Sequence, residues 1–136
     1  MRKDRKKTEA RRRGHRGETA AARYLRRRFY RILERNWFFH RKEVDIIARR
    51  GRTLVICEVK TRTARMEAPS PFGTPSAAVD AAKQHNLLVA ARAYAQAISF
   101  SGDIRFDVIE VYLEKKEGTA RPRITRILHL KNAFTA

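Results

Sequence analysis

Two apolar runs, Val44 to Ala48 and Thr53 to Lys60, flank a short polar stretch that contains Arg50-Gly51. Alternating apolar residues on either side of a glycine-bearing turn are the pattern of a β-hairpin. The hairpin restricts the fold more than any other stretch, because both strands also carry charge in segments otherwise suited to burial: Asp45 in the first, Glu58 and Lys60 in the second. A charge in such a place is costly unless it is paired, hydrogen-bonded or bound to a cation.

Side chains alternate along a strand, so Glu58 and Lys60, two residues apart, share a face. Pairing the runs around a two-residue turn at Arg50-Gly51 sets Asp45 opposite Ile56 and therefore on that same face. A turn of two or four residues preserves this constellation. A turn of three sends Asp45 to the other side of the sheet.

The remaining elements follow from periodicity. From Gly17 a helical repeat places Ala21, Leu25, Arg28 or Phe29, and Ile32 on one stripe and ends near Arg35-Asn36. Trp37-Phe38-Phe39 reads as a short aromatic strand before the hairpin. Thr63 to Ser76 holds Pro69, Pro71, Gly73 and Pro75 and reads as a loop next to the strand end that carries Lys60. Ser76 is a suitable N-cap for a helix over Ala77 to Ala97, with Val79, Ala82, Leu87 or Val89, Ala90 and Ala93 as its apolar face. Arg105 to Leu113 reads as an apolar strand interrupted by Asp107 and Glu110, and Arg123 to Leu130 as a final strand. The order is that of an α/β domain with a mixed sheet.

With 136 residues and no internal repeat, the chain is expected to form one domain over residues 14–131. Residues 1–13 read as a disordered or frayed basic arm and residues 132–136 as a frayed tail. No apolar run approaches the roughly 20 residues of a membrane span, and the basic amino terminus has no apolar segment of the secretory kind behind it. A cytoplasmic protein without a membrane partner is the expectation. The lone Cys57 excludes an internal disulfide, and His15, His40, His85 and His129 lack zinc-ligand spacing.

Charge supplies the partner. Thirty-two Lys and Arg against fourteen Asp and Glu give +18, of which residues 1–13 contribute eight bases and two acids. The body therefore remains strongly basic, which favours nucleic acid through phosphate contacts and counterion release. Arg outnumbers Lys by 23 to 9, however, and this excess can also reflect genomic base composition.

Acids beside a lysine on such a background suit hydrolysis of a phosphodiester assisted by Mg2+ or Mn2+, hard ions that prefer carboxylate, carbonyl and water oxygens. Asp45, Glu58 and the Val59 carbonyl are the candidate ligands, and Lys60 the candidate for orienting water or neutralising charge on the phosphorane. Glu18, seven residues before Leu25, projects from the apolar side of the first helix. It reads equally as a fourth acid of the site, holding the outer ligand shell or a second ion, and as a first-turn acid favoured by the helix dipole. Arg62 and Lys83 are candidate phosphate contacts.

These residues carry a family resemblance. Gly17-Glu18, the run from Glu43 to Ala48, Glu58-Val59-Lys60-Thr61-Arg62, Phe72-Gly73, Lys83 and Arg105-Phe106-Asp107-Val108 together resemble the YraN-like bacterial family over roughly Gly14 to Leu113. That family is similar to the archaeal Holliday junction resolvases and, more distantly, to the PD-(D/E)XK nucleases. The resemblance implies a restriction-endonuclease-like αβββαβ core with a mixed central sheet flanked by helices. It also implies metal ligands at Asp45 and Glu58, a catalytic lysine at Lys60 and a helix acid at Glu18. The proline usual before the aspartate is replaced by Val44. Substrate is left open among junctions, flaps, single strands and RNA, and a junction-cutting role would call for a two-fold homodimer.

Two other readings compete with a DNA or RNA endonuclease of repair or recombination. One is a basic nucleic-acid-binding protein that keeps the fold without catalysis. The other takes Asp45, Glu58 and Lys60 as a structural ion-pair network. A direct Lys60 to Glu58 pair that excludes metal would favour the last, and a divalent ion bridging Asp45 and Glu58 the nuclease.

Overall fold

The computed structural model describes residues 2–63, 79–115, 117–118 and 121–134. Helix α1 (Arg2–Arg27) is followed by strands β1 (Arg31–Phe39), β2 (Lys42–Arg50) and β3 (Thr53–Thr63), helix α2 (Ala81–Ala97), and strands β4 (Asp103–Glu114) and β5 (Arg123–Phe134). The strands form one sheet in the order β1-β2-β3-β4-β5, antiparallel throughout except for the parallel β3–β4 pair. The crossover between those parallel strands contains α2, the usual solution for a parallel connection. This is the restriction-endonuclease-like αβββαβ core with a fifth strand added at the β4 edge.

The sheet has two covered faces. Ala21, Ala22 and Leu25 of α1 pack with Ile46, Ala48, Val55, Cys57, Ile109 and Val111. On the other face Leu87, Ala90, Ala91 and Tyr94 of α2 pack with Ile47, Leu54, Ile56, Phe106 and Val108. Burial on both faces explains the near-continuous apolar runs of the central strands.

The hairpin turn lies one residue later than the sequence pattern suggests. Arg50 pairs with Thr53, so the turn is Gly51-Arg52, with Gly51 at φ +59, and Ile47 rather than Asp45 stands opposite Ile56. The register moves by two residues, an even number, so the residues paired from Ile46 to Arg50 keep their faces; before Ile46 the alternation breaks, since Val44 packs in the same core cluster as Ile47.

Several element boundaries differ from expectation. Helix α1 begins at Arg2, in place of a frayed arm, since Arg, Lys, Glu and Ala are all good helix formers. It ends at Arg27 rather than near Arg35: Phe29 takes φ +68, and the chain turns there into β1, which is much longer than the aromatic triplet alone. Ile32, expected on the helical stripe, lies on β1, and Phe29 is 86% exposed. Asp80 rather than Ser76 caps α2, its Oδ1 accepting from the Lys83 backbone N–H at 2.8 Å. Asp is among the strongest N-caps, and here it directly precedes the first helical turn. The buried face of α2 is Leu87, Ala90, Ala91, Tyr94 and Ala95, while Ala82 is exposed. Strand β5 extends through Phe134, so residues 132–134 are not frayed; Phe134 stacks on Phe106 with centroids 4.9 Å apart. The proline-rich loop, the Phe72-Gly73 motif and the start of the expected second helix lie outside the described residues.

The anchor of β5 is Asp107. It is 1% exposed and takes Arg105 Nε and Nη2, both at 2.9 Å, and the Asn132 backbone N–H at 2.9 Å. His129 Nε2 lies 2.7 Å from Oδ2, the oxygen that also takes Arg105 Nη2. Burial alone would raise the Asp107 pKa, but these partners outweigh it and hold the carboxyl below its ordinary value of 3.8. The acid that breaks the apolar pattern of β4 thus ties that strand to β5.

Candidate metal and phosphodiester site

The sheet forks where the carboxylates meet. Strands β2 and β3 pair from Arg50↔Thr53 as far as Ile46↔Cys57. Beyond that point β2 stays with β1 down to Lys42, and β3 stays with β4 up to Thr63. Asp45 stands at the parting. Its Oδ2 accepts from the Val59 backbone N–H at 2.8 Å, so a side chain takes a donor that would otherwise extend the ladder. Val59 thus meets Asp45 through its N–H, whereas the sequence reading makes its carbonyl a ligand.

Helix α1 brings Glu18 into the fork. It approaches β3 closely at Gly17, which is buried: a Cβ there would lie 1.9 Å from Thr61 Oγ1, so only glycine permits this spacing. One residue on, Glu18 offers an oxygen to a cluster with Glu43 and Asp45, whose ligand atoms all lie within 4.8 Å of one another. Burial raises the Glu18 pKa; Asn36 opposes this by hydrogen bonding, and Glu43 adds to it. Neighbouring Thr19 accepts from Arg35 Nη2 at 3.0 Å, which ties the helix to β1.

Asp45 has the most perturbed carboxyl of the group, pushed up to about 8. Burial is the largest cause, followed by the charge of Glu58 and then, after the opposing Val59 N–H, by Glu18 and Glu43. Among the described residues, the charged side chains that act on it most strongly are the carboxylates of Glu58, Glu18 and Glu43. Mutual repulsion among neighbouring carboxylates is the condition that a hard divalent ion relieves.

Glu58 is 5% exposed and is approached by two lysines, Lys60 Nζ at 3.5 Å from Oε1 and Lys83 Nζ at 3.8 Å from Oε2. Lys83, a candidate phosphate contact by sequence, therefore meets the acid of β3 from the first turn of α2. Glu58 Oε2 is nonetheless buried without a hydrogen-bond partner among the described residues. The clustered oxygens of Glu18, Glu43 and Asp45, together with this orphaned acceptor, fit the donor set of Mg2+ or Mn2+.

Sequence reasoning did not single out Glu43 as a ligand. The signal was present: Glu43 lies two residues before Asp45 on the same strand, and alternation turns both the same way. Also unexpected is a second polar group beside Lys60. Glu110, 4% exposed, is the β4 partner of Lys60; the Tyr112 hydroxyl donates to its Oε2, and Arg62 Nε lies 3.4 Å from the same oxygen. Arg62, the other candidate phosphate contact, thus has its charge partly offset by Glu110.

Residues 17–111 match the model of Uncharacterised protein family UPF0102, a span that includes α1 from Gly17, the fork and β4 through Val111. The chain is 43% identical over 124 residues to a UPF0102 protein of Chlorobium chlorochromatii strain CaD3, covering 89% of each chain. It is 39% identical over 135 residues to the UPF0102 protein TTE1452 of Caldanaerobacter subterraneus, covering 98% of this chain and the whole of that one. A UPF0102 protein of Geobacter sulfurreducens is 41% identical over 122 residues, with 89% of this chain and 87% of the relative covered. The chain belongs to the UPF0102, or YraN-like, family, within the PD-(D/E)XK nuclease superfamily.

Proposed function

We propose that this protein is a divalent-metal-dependent nuclease that hydrolyses phosphodiester bonds in nucleic acid. The observation that carries the reading is the convergence of Glu18, Glu43 and Asp45 at the fork, with their oxygens within 4.8 Å and Asp45 pushed upward by the charges of Glu58, Glu18 and Glu43. Glu58, with its orphaned Oε2, completes the acidic set from β3.

In this reading the four carboxylates hold Mg2+ or Mn2+, which when bound polarises the scissile phosphate and lowers the pKa of a coordinated water. Lys60 sits 3.5 Å from Glu58, where its ammonium can hold the attacking water or offset charge growing on the phosphorane. Lys83 brings a second positive charge from α2 to the same acid. The +18 net charge raises the local concentration of a polyanionic substrate.

The direct Lys60–Glu58 contact favours a second reading, in which Asp45, Glu58 and Lys60 form a structural ion-pair network in an ordinary domain. Against it stands the imbalance at the fork, since a structural network would pair Asp45 with a base. The test is a panel of branched, flapped, single-stranded, duplex and RNA substrates with Mg2+ or Mn2+, comparing the protein with Asp45→Ala and Lys60→Ala. Cleavage that falls by about 100-fold or more in each variant is the expected result. No cleavage of any substrate, or cleavage unchanged in both variants, would overturn the nuclease reading.

A further inference from the structure

Helix α1 presents a second, basic face away from the carboxylates. Arg16, Ala20, Arg23, Tyr24 and Arg27 recur at helical spacing on one stripe, and with Ile127 of β5 and Arg28 they line a groove of about 390 Å³ between α1 and β5. From Arg16 to Arg27 the stripe runs about 16 Å at the rise of an α-helix. Its walls carry almost no countercharge. Between Ala10 and Arg27 the only acid is Glu18, which turns to the carboxylate cluster, and β5 contains no acid at all. Arg23, Arg27 and Arg28 are exposed, and among the described residues no neighbouring element covers their charge.

The groove also offers a stacking surface. The Arg28 guanidinium lies 3.7 Å from the centroid of the Tyr24 ring, and Tyr24 in turn meets His129 edge-on at 5.5 Å. A ring fixed on one side and overlaid by a guanidinium is the kind of platform on which unpaired bases stack, and the surrounding arginines suit the phosphates between them. A groove of this volume admits a base or a sugar-phosphate unit, whereas a duplex would touch only its rim.

We infer that the α1–β5 groove is a track for a single strand of nucleic acid. This inference rests on the reading of the fork as a nucleic-acid site and extends it. Arg16 on the groove side and Glu18 on the carboxylate side are two residues apart on one helix, about 200° around its axis, so a strand bound at the fork reaches the track by crossing over α1. The groove holds the flanking strand while the fork holds the phosphate that is cut. An acidic peptide or an anionic membrane shares the charge of such a ligand but makes no use of the Tyr24–Arg28 platform.

Binding of a fluorescein-labelled single-stranded oligothymidylate, followed by anisotropy in EDTA so that no cleavage occurs, tests the track. Arg23→Gln with Arg27→Gln is expected to weaken binding by about 10-fold, and the slope of log affinity against log salt is expected to flatten by about 1.4, some 0.7 for each phosphate that is no longer neutralised. Arg49→Gln with Arg52→Gln, an equal reduction of charge at the β2–β3 turn, is expected to leave the slope unchanged. Tyr24→Leu should weaken binding without altering the slope, since stacking releases no counterions. Equal effects of the two arginine pairs, a duplex bound as tightly as the single strand, or competition by polyglutamate or phosphatidylserine vesicles as strong as by oligonucleotide would each overturn the track. Cleavage assays separate this failure from that of the nuclease reading. Groove variants that bind less in EDTA, in a protein that cuts nothing, would remove the nuclease and keep the track. Cleavage abolished in Asp45→Ala, with groove variants binding normally, would do the reverse.

Discussion

The Val59 backbone N–H donates to Asp45 Oδ2 at 2.8 Å, across the point where β2 and β3 part. This one bond links fold to chemistry. It ends the antiparallel ladder with a side chain instead of a main-chain acceptor, and it holds the Asp45 carboxylate within reach of acids from α1 and β2.

Stability of the metal-free protein should fall as pH rises through the neutral range, and Asp45 should be a principal cause. Its folded pKa of about 8 lies above the ordinary 3.8, so between those values the folded state holds a proton that the unfolded chain has released. The stabilisation is complete below about pH 4 and is lost by about pH 8, with a slope of at most about 1.4 kcal/mol per pH unit. Urea denaturation of wild type and Asp45→Asn from pH 5 to 9 in EDTA isolates the contribution. The variant should lose much of the slope and be the more stable protein at pH 8 and above. Parallel profiles for the two proteins would refute the assignment.

Divalent metal should reverse that trend. Binding to the folded state alone raises stability by mass action, by about 2.7 kcal/mol at a hundredfold excess over Kd, and deprotonated carboxylates bind best, so Mn2+ should raise Tm more at pH 8 than at pH 5. Glu18→Gln, Glu43→Gln and Asp45→Asn should each reduce the rise, whereas Lys60→Met should keep it. Loss of the rise in Glu43→Gln would establish the ligand that the linear sequence least suggested. An unaltered rise in all three acid variants would mean that the metal binds elsewhere.

Asp107 should be worth far more to stability than to chemistry. Asp107→Ala leaves Arg105 as an uncompensated charge and the Asn132 N–H and His129 without their acceptor, and should cost about 3–5 kcal/mol in urea denaturation. Because the folded pKa lies below 3.8, the stabilisation is present above that value and is lost as pH falls through the folded pKa. A cost under about 1 kcal/mol would contradict the network as drawn.

Gly17 and Thr61 should be coupled. Gly17→Ala forces a Cβ to within 1.9 Å of Thr61 Oγ1 and should cost about 1–3 kcal/mol by pushing α1 off β3. Removing that oxygen in Thr61→Ala should recover at least about 1 kcal/mol in the double variant, a coupling measured by the full mutant cycle. Strict additivity of the two changes would show that the contact is not what requires glycine.

The sequence by itself determined the elements and most of their faces: alternation put Glu58 and Lys60 together, whereas the β2–β3 pairing stops at Ile46↔Cys57, so the position of Asp45 follows from the fork and not from turn parity. It determined the α/β class, because apolar runs of strand length bracketed the helical repeats. Helix boundaries were less legible. The end of α1 depends on Phe29 accepting a left-handed backbone, and nothing local to an aromatic residue signals that. Only the tertiary structure decided that Glu43 joins Glu18 and Asp45, that Lys83 meets Glu58, and that Asp107 is an anchor and not an interruption. Those facts depend on where strands separate and how closely a helix approaches, and both are set by contacts between residues far apart in the chain, which periodicity does not encode.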